Sequence, residues 1–199
     1  PRAVLLARGA QGWASLCRLV SAAHLSGERG VPRVTLAQVA EHAAGLVALL
    51  GPGSELGWVL QRRRPDLADL VVRQGQEALD RGCTVISVVS HRATHDGSGS
   101  RDAGLPLSSV AAARMFGWAA QRGLPTVLTN AVRYIDRRSA PVVDVLDAAR
   151  RLVPLDRRHR DRANAEGRLK SASEMVQVAA EVVRLLTGEP VDRLRVVLD

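Results

Sequence analysis

At 199 residues, with 46% hydrophobic and 24% charged side chains, the chain has the composition of one soluble globular domain with a substantial core. Its net charge of +8 rests almost wholly on arginine, since Lys170 is the sole lysine, and points either to a polyanion such as nucleic acid or to a generally basic surface. Cys17 and Cys83 lack CxxC spacing, which speaks against a disulfide framework or zinc ribbon and fits a reducing cytoplasm, and no apolar run approaches the roughly 20 residues of a membrane span.

Ala3 to Ala7 read as a short buried strand, and Arg8 and Gly9 as the turn before a helix from Ala10 to His24. Trp13, Leu16, Cys17, Val20 and Ala23 recur at helical spacing, the pattern of a stripe facing the core. After a Gly and Pro loop, Thr35 can cap a short helix through Glu41 and His42. Gly45 to Leu50 is the next buried strand, and Gly51, Pro52 and Gly53 close it with a tight turn that offers a site loop. Gln61 to Arg64 read as a solvated linker between strand and helix, with phosphate binding as the competing reading. Pro65 suits the first turn of a helix reaching Arg81.

Cys83 to Val89 form a β-branched strand that delivers Ser90, His91, Arg92, Thr94, His95 and Asp96 into the most polar loop of the chain. His91, His95 and Asp96 are candidate metal ligands, while the glycines and serines around them equally describe a surface loop. Pro106 to Arg122 read as a helix. Gly123 then leads into Pro125 to Leu128, a strand covered on both faces, with Thr129 and Asn130 opening the loop at its carboxyl end, where α/β folds usually bind ligands. Strand and helix alternate in the order of βα units, which predicts a mainly parallel sheet or barrel. Ser139 to Leu152 are helical, Leu155 to Gly167 form a charged, exposed excursion, and Ser171 with Glu174 opens a long helix through a capping box.

Six stretches carry a resemblance: ARGAQGWASLCRLVSAAH, GLVALLGPGSELG, the VVSHR strand, GLPTVLTNAVRY, DVLDAARRLVPLDRRHRDRANAEG and LKSASEM, in that order. Together the chain resembles the polymerase and histidinol phosphatase (PHP) domain of bacterial DNA polymerase III alpha subunits, of the actinobacterial type or its error-prone relative. The resemblance implies an α/β fold, an irregular βα barrel of mainly parallel strands that here lacks its amino-terminal part. Residues 1–186 would be a partial PHP domain and 187–199 the start of the connection to a polymerase palm. The start at Pro1, directly in an apolar run, likewise suggests a piece of something longer.

Metal-retaining relatives carry a Cys, a Glu, a His and a final Asp and His at positions that match Pro52, Ser87, His91, Ala131 and Arg133 here. Proline and alanine offer no ligand, and a permanently charged guanidinium repels a cation. The resemblance therefore implies a degenerate site with no catalytic residue and no metal in this stretch. Arg133 is expected to pair instead with carboxylates or loop carbonyls. What remains is a structural and docking role within a DNA-directed DNA polymerase, a nucleotidyltransferase of replication, repair or lesion bypass. Such a parent would use magnesium at palm carboxylates outside this sequence and would take DNA, deoxynucleotides, a sliding clamp and replication or lesion-bypass subunits as partners. The competing reading is a metal-dependent phosphoesterase, a 3′–5′ exonuclease or pyrophosphatase.

Overall fold

The computed structural model describes residues 3–26, 28, 30–79, 81–93 and 107–188. Four strands, β1 (Val4–Ala7), β2 (Leu46–Leu50), β3 (Thr84–Val89) and β4 (Thr126–Thr129), form one sheet in the order β1-β2-β3-β4. Seven α-helices accompany them among the described residues: α1 (Gly9–Leu25), α2 (Leu36–Glu41), α3 (Glu55–Gln61), α4 (Pro65–Ala78), α5 (Ser109–Ala120), α6 (Ala140–Arg151) and α7 (Ala172–Thr187). None of these helices is long and apolar enough to cross a membrane. The chain divides into two compact units, one of Pro1–Ser87 with Trp118–Val127 and one of Val88–Gly117 with Leu128–Asp199.

In the first unit β2 pairs in parallel with β3 and antiparallel with β1, so the sheet is mixed. β1 is not the buried strand expected, since Val4 is 57% exposed. An antiparallel strand can leave a face to solvent, whereas parallel strands are generally covered on both. Leu46, Ala48, Leu19 and Leu79 form one core cluster, with Leu5, Leu16, Val39, Ala43 and Cys83 packed around it.

Helix α1 turns a different face inward from the expected one. Gly12, Ser15, Leu19 and Ala23 are buried, while Trp13 is 63% exposed and Cys17 and Val20 face solvent. The reason is a close approach of two backbones, because a Cβ on Gly12 would overlap the carbonyl oxygen of Gly45, and Arg8 donates its N–H to that same oxygen at 2.7 Å. The helix is seated by its smallest residue, and Trp13, one position along, necessarily points away.

Between Gly53 and Pro65 the structure contains helix α3, which sequence periodicity alone did not disclose. Ser54 caps it by accepting from Gly57 N–H at 3.3 Å, while its own hydroxyl donates to the Gly51 carbonyl at 2.6 Å. The basic run at Arg62 to Arg64 thus joins two helices and not a strand to a helix. Arg62 stacks its guanidinium 3.4 Å from the Trp58 ring centroid, and Arg64 pairs with Asp66 at 2.8 Å. Pro65 opens α4 as expected, its missing N–H being harmless in the first turn.

In the second unit, α7 begins at the predicted capping box, with Ser171 accepting from Glu174 N–H and the Glu174 carboxylate accepting from Ser171 N–H. It ends at Gly188 with φ 71°, and buries Val178, Ala180 and Val182. A Cβ on Gly117 would collide with Leu186, so this pair is also fitted backbone to side chain. Helix α6 follows a 3-10 turn capped by Asp136, and buries only Ala140 and Ala148. The chain after β4 runs beside residues 167–169: Arg133 N–H donates to Gly167 at 2.8 Å, and Leu169 N–H donates to Tyr134 at 2.9 Å. The 155–167 stretch is therefore exposed only in part, since Glu166 is buried at its end. β4 itself is half-covered, Val127 being exposed, and not the doubly covered strand expected.

Candidate functional site

The residues at the carboxyl ends of β3 and β4 that belong to the second unit meet in a buried polar cluster. Beyond β3, Ser90 and His91 are buried. His91 Nε2 lies 2.7 Å from the Asn130 carbonyl oxygen, and because a carbonyl can only accept, this nitrogen carries the proton. Burial lowers the His91 pKa, outweighing the support of that carbonyl, so the ring is held neutral.

Asn130 is the hub. Its amide Nδ2 donates to the carbonyls of Glu166 at 3.0 Å and Arg168 at 2.5 Å, while its Oδ1 accepts from Lys170 Nζ at 2.9 Å. The Lys170 side chain is only 1% exposed, and Nζ also donates to the Glu166 carbonyl at 2.6 Å and lies 3.3 Å from Glu166 Oε2. The other carboxylate oxygen, Oε1, accepts from Arg137 at 2.6 Å. Burial alone would push the Glu166 carboxyl up, but Arg137 and Lys170 outweigh it and hold the pKa below the usual carboxylate value. Burial correspondingly pulls the Lys170 ammonium down, with Glu166 offsetting part of the shift.

A second pair extends the cluster. Arg92 Nε donates to Glu181 Oε2 at 2.6 Å, Ser109 donates to Glu181 Oε1 at 2.5 Å, and the Ser90 and Ser109 hydroxyls are 3.0 Å apart. Asn164 closes the loop by donating to the His91 carbonyl at 2.7 Å and accepting from Glu166 N–H at 3.0 Å. Arg92 (φ 52°) and Ala131 (φ 42°), which directly follow His91 and Asn130, both adopt the left-handed conformation. Each such residue costs about 1 kcal/mol, which the bonds of its neighbours offset.

The expected site residues fall in different places. Pro52 and Ser87 belong to the first unit, where a Cβ on Gly51 would lie 3.6 Å from that of Ser87. His91, Ala131 and Arg133 belong to the second, and only His91 enters the cluster. Ala131 is exposed. His95 and Asp96 lie outside the described residues. Among the described residues, no group of three His, Cys, Asp or Glu side chains is placed to hold a metal ion. The positions that the resemblance matches to ligands hold proline, serine, alanine, arginine and one imidazole, that of His91, whose Nε2 donates to the Asn130 carbonyl.

Arg133 does find a carboxylate, reaching both oxygens of Asp147 on α6 at 2.8 Å. With 42% of its side chain in solvent, that pair is weak, and Arg133→Ala is expected to lower stability by about 0.5 to 1 kcal/mol, read as a small shift of the denaturation midpoint. The cation buried among oxygens is Lys170. Composition marked it as the only lysine in the chain, and that singularity was the one sequence signal that could have directed attention to it.

The capping box of α7 gives the site a pH dependence. Glu174 accepts from Arg168 and from Ser171, which lowers its pKa from 4.5 to about 2. A carboxylate with a depressed folded pKa contributes stability that is complete above its unfolded value and is lost as the pH falls through the folded one. Between pH 4.5 and about 2 the wild-type protein should therefore lose stability more steeply than Glu174→Gln, as measured by urea midpoints across that window.

No family model matches the chain. Over 154 residues it is 31% identical to the DNA polymerase III subunit alpha of Thermus aquaticus, an alignment that covers 76% of this chain and 12% of that protein. The chain thus spans about an eighth of the length of this curated relative, and is related to a region of a DNA polymerase III alpha subunit.

Proposed function

We propose that the chain is a non-catalytic PHP-type part of a DNA polymerase III alpha-like polymerase, of the actinobacterial or error-prone type, and that it supports and docks other parts of a replication or lesion-bypass machine. The observation that carries this reading is the Lys170 ammonium, which donates to Asn130 Oδ1 and the Glu166 carbonyl and lies 3.3 Å from Glu166 Oε2 at the end of β4. An internal cation stands among these oxygens, with its protons committed to the Asn130 and Glu166 acceptors. Support for the parent comes from the relative in Thermus aquaticus, and support for the PHP reading from the order of the six stretches in the sequence.

In this reading the nucleotidyl transfer, with its magnesium, DNA and deoxynucleotides, belongs to the parent outside this sequence. The test is primer extension by the complete natural polypeptide that contains it. Templated, magnesium-dependent incorporation is expected. A complete polypeptide that is pure, folded and devoid of incorporation would remove the polymerase assignment.

A further inference from the structure

The outer face of α6 carries Val142, Val145 and Leu146, and the turn beyond it carries Leu152 and Leu155, all exposed. Pro141, Val145, Ala148, Pro154 and Leu155 line one groove there, of about 230 Å³. The acidic groups that line it are already paired, Asp144 with Arg162 at 2.5 Å and Asp156 with Arg158 at 3.0 Å. Arg157 and Arg160 at its rim, and Arg150 one turn after Leu146, are exposed and form no ion pair among the described residues. An apolar floor thus lies between unneutralised guanidinium groups.

From this juxtaposition of an apolar groove and unpaired arginines we infer that the α6 face is a docking site for an acidic amphipathic helix of a partner protein. The apolar stripe of such a helix would cover Val145 and Leu155 while its flanking carboxylates reach Arg157 and Arg160, the helix-in-groove mode of recognition. The 12 residues of α6 span about 18 Å, which suits a partner of three to four turns. Nucleic acid fits less well, because phosphates would pair with the arginines but leave the aliphatic floor uncovered, and the ring that lines the groove is the His159 imidazole, held to the Pro154 carbonyl at 3.1 Å. A second copy of this chain fits less well too, since a symmetric pairing would set like charges against each other. The inference gives the docking role proposed above a surface and a partner chemistry, and rests on that reading.

The test uses the complete chain and a fluorescein-labelled helical peptide of about 14 residues, with leucines at helical spacing and glutamates on the flanks. Anisotropy should show saturable binding that weakens about tenfold or more for Val145→Asp and for the double variant Arg157→Glu with Arg160→Glu. A scrambled peptide of the same composition should bind about tenfold more weakly, because it keeps the charge and loses the stripe. The proposal is overturned if the designed peptide does not bind, if the scrambled one binds equally, or if neither variant matters. It is also overturned if a labelled single-stranded oligonucleotide, or self-association of the chain, responds to these variants and the peptide does not. The two double-variant sites are exposed and leave the fold intact, so this arm remains decisive should Val145→Asp fold poorly. Loss of peptide binding in a polypeptide that still extends primers and hydrolyses no DNA would remove this surface alone, whereas peptide binding together with metal-dependent hydrolysis would remove the non-catalytic reading instead.

Discussion

Lys170→Met should destabilise the protein by about 3 kcal/mol, because it removes one partner of a buried charge pair and leaves the other behind. Methionine preserves the stem and its packing, so the loss isolates the ammonium. Without it, among the described residues, Asn130 Oδ1 has no donor, and Glu166 Oε2, which is buried, keeps only the distant Arg92 at 3.9 Å. Arg137 still neutralises Oε1, which places the expected loss at the lower end for a broken buried pair. Glu166→Gln should partly rescue Lys170→Met, with a coupling of about 1 kcal/mol or more between the two sites in a double-mutant cycle. Denaturant midpoints decide the matter. A loss well under about 1 kcal/mol for Lys170→Met would mean that the ammonium contributes little and that the cluster is held by its backbone bonds alone.

Gly12→Ala should cost about 3 kcal/mol despite alanine's better helix propensity, which favours it by roughly 1 kcal/mol. The new methyl group would overlap the backbone carbonyl of Gly45, and neither partner is a flexible side chain that can swing aside. Helix α1 would have to lift from the entry to β2, opening the core around Leu19 and Leu46. Gly82→Ala is the matched control, since a Cβ there meets nothing within 4 Å. It should leave the thermal midpoint nearly unchanged, and equal losses from the two substitutions would show that α1 is not seated on Gly45.

The readable parts of this fold were those written in local chemistry. Thr35 announces a helix start as a cap, Ser171 with Glu174 another by a reciprocal cap, and Pro65 a third by its ring; all three open helices where the residues said they would. The strands at β2 and β3 were legible as β-branched and aliphatic runs bounded by glycine. What failed was anything decided by contact at a distance. Trp13 and Cys17 have the spacing of a core stripe, but the face of α1 is chosen by the absence of a Cβ on Gly12, which no periodicity count registers. α3 is too short for its pattern to stand out from the glycine-rich turn before it. The site behaved likewise: His91 was singled out for its imidazole and does enter the cluster, where it donates to the Asn130 carbonyl. Glu166 sat inside a stretch whose arginines advertised solvent exposure, and its burial follows from Asn130, Asn164 and Lys170 converging on it from separate segments.

Whether His91 serves structure or catalysis separates the non-catalytic reading from its phosphoesterase competitor. The direct measurement is hydrolysis of a 3′-labelled single-stranded oligonucleotide by the complete natural polypeptide with added manganese or zinc, comparing wild type with His91→Ala and recording primer extension in the same preparations. Hydrolysis at background level in both proteins is predicted, with His91→Ala affecting thermal stability through the lost bond to the Asn130 carbonyl. Metal-dependent hydrolysis that is present in the wild type and abolished by His91→Ala, while primer extension persists, would contradict it.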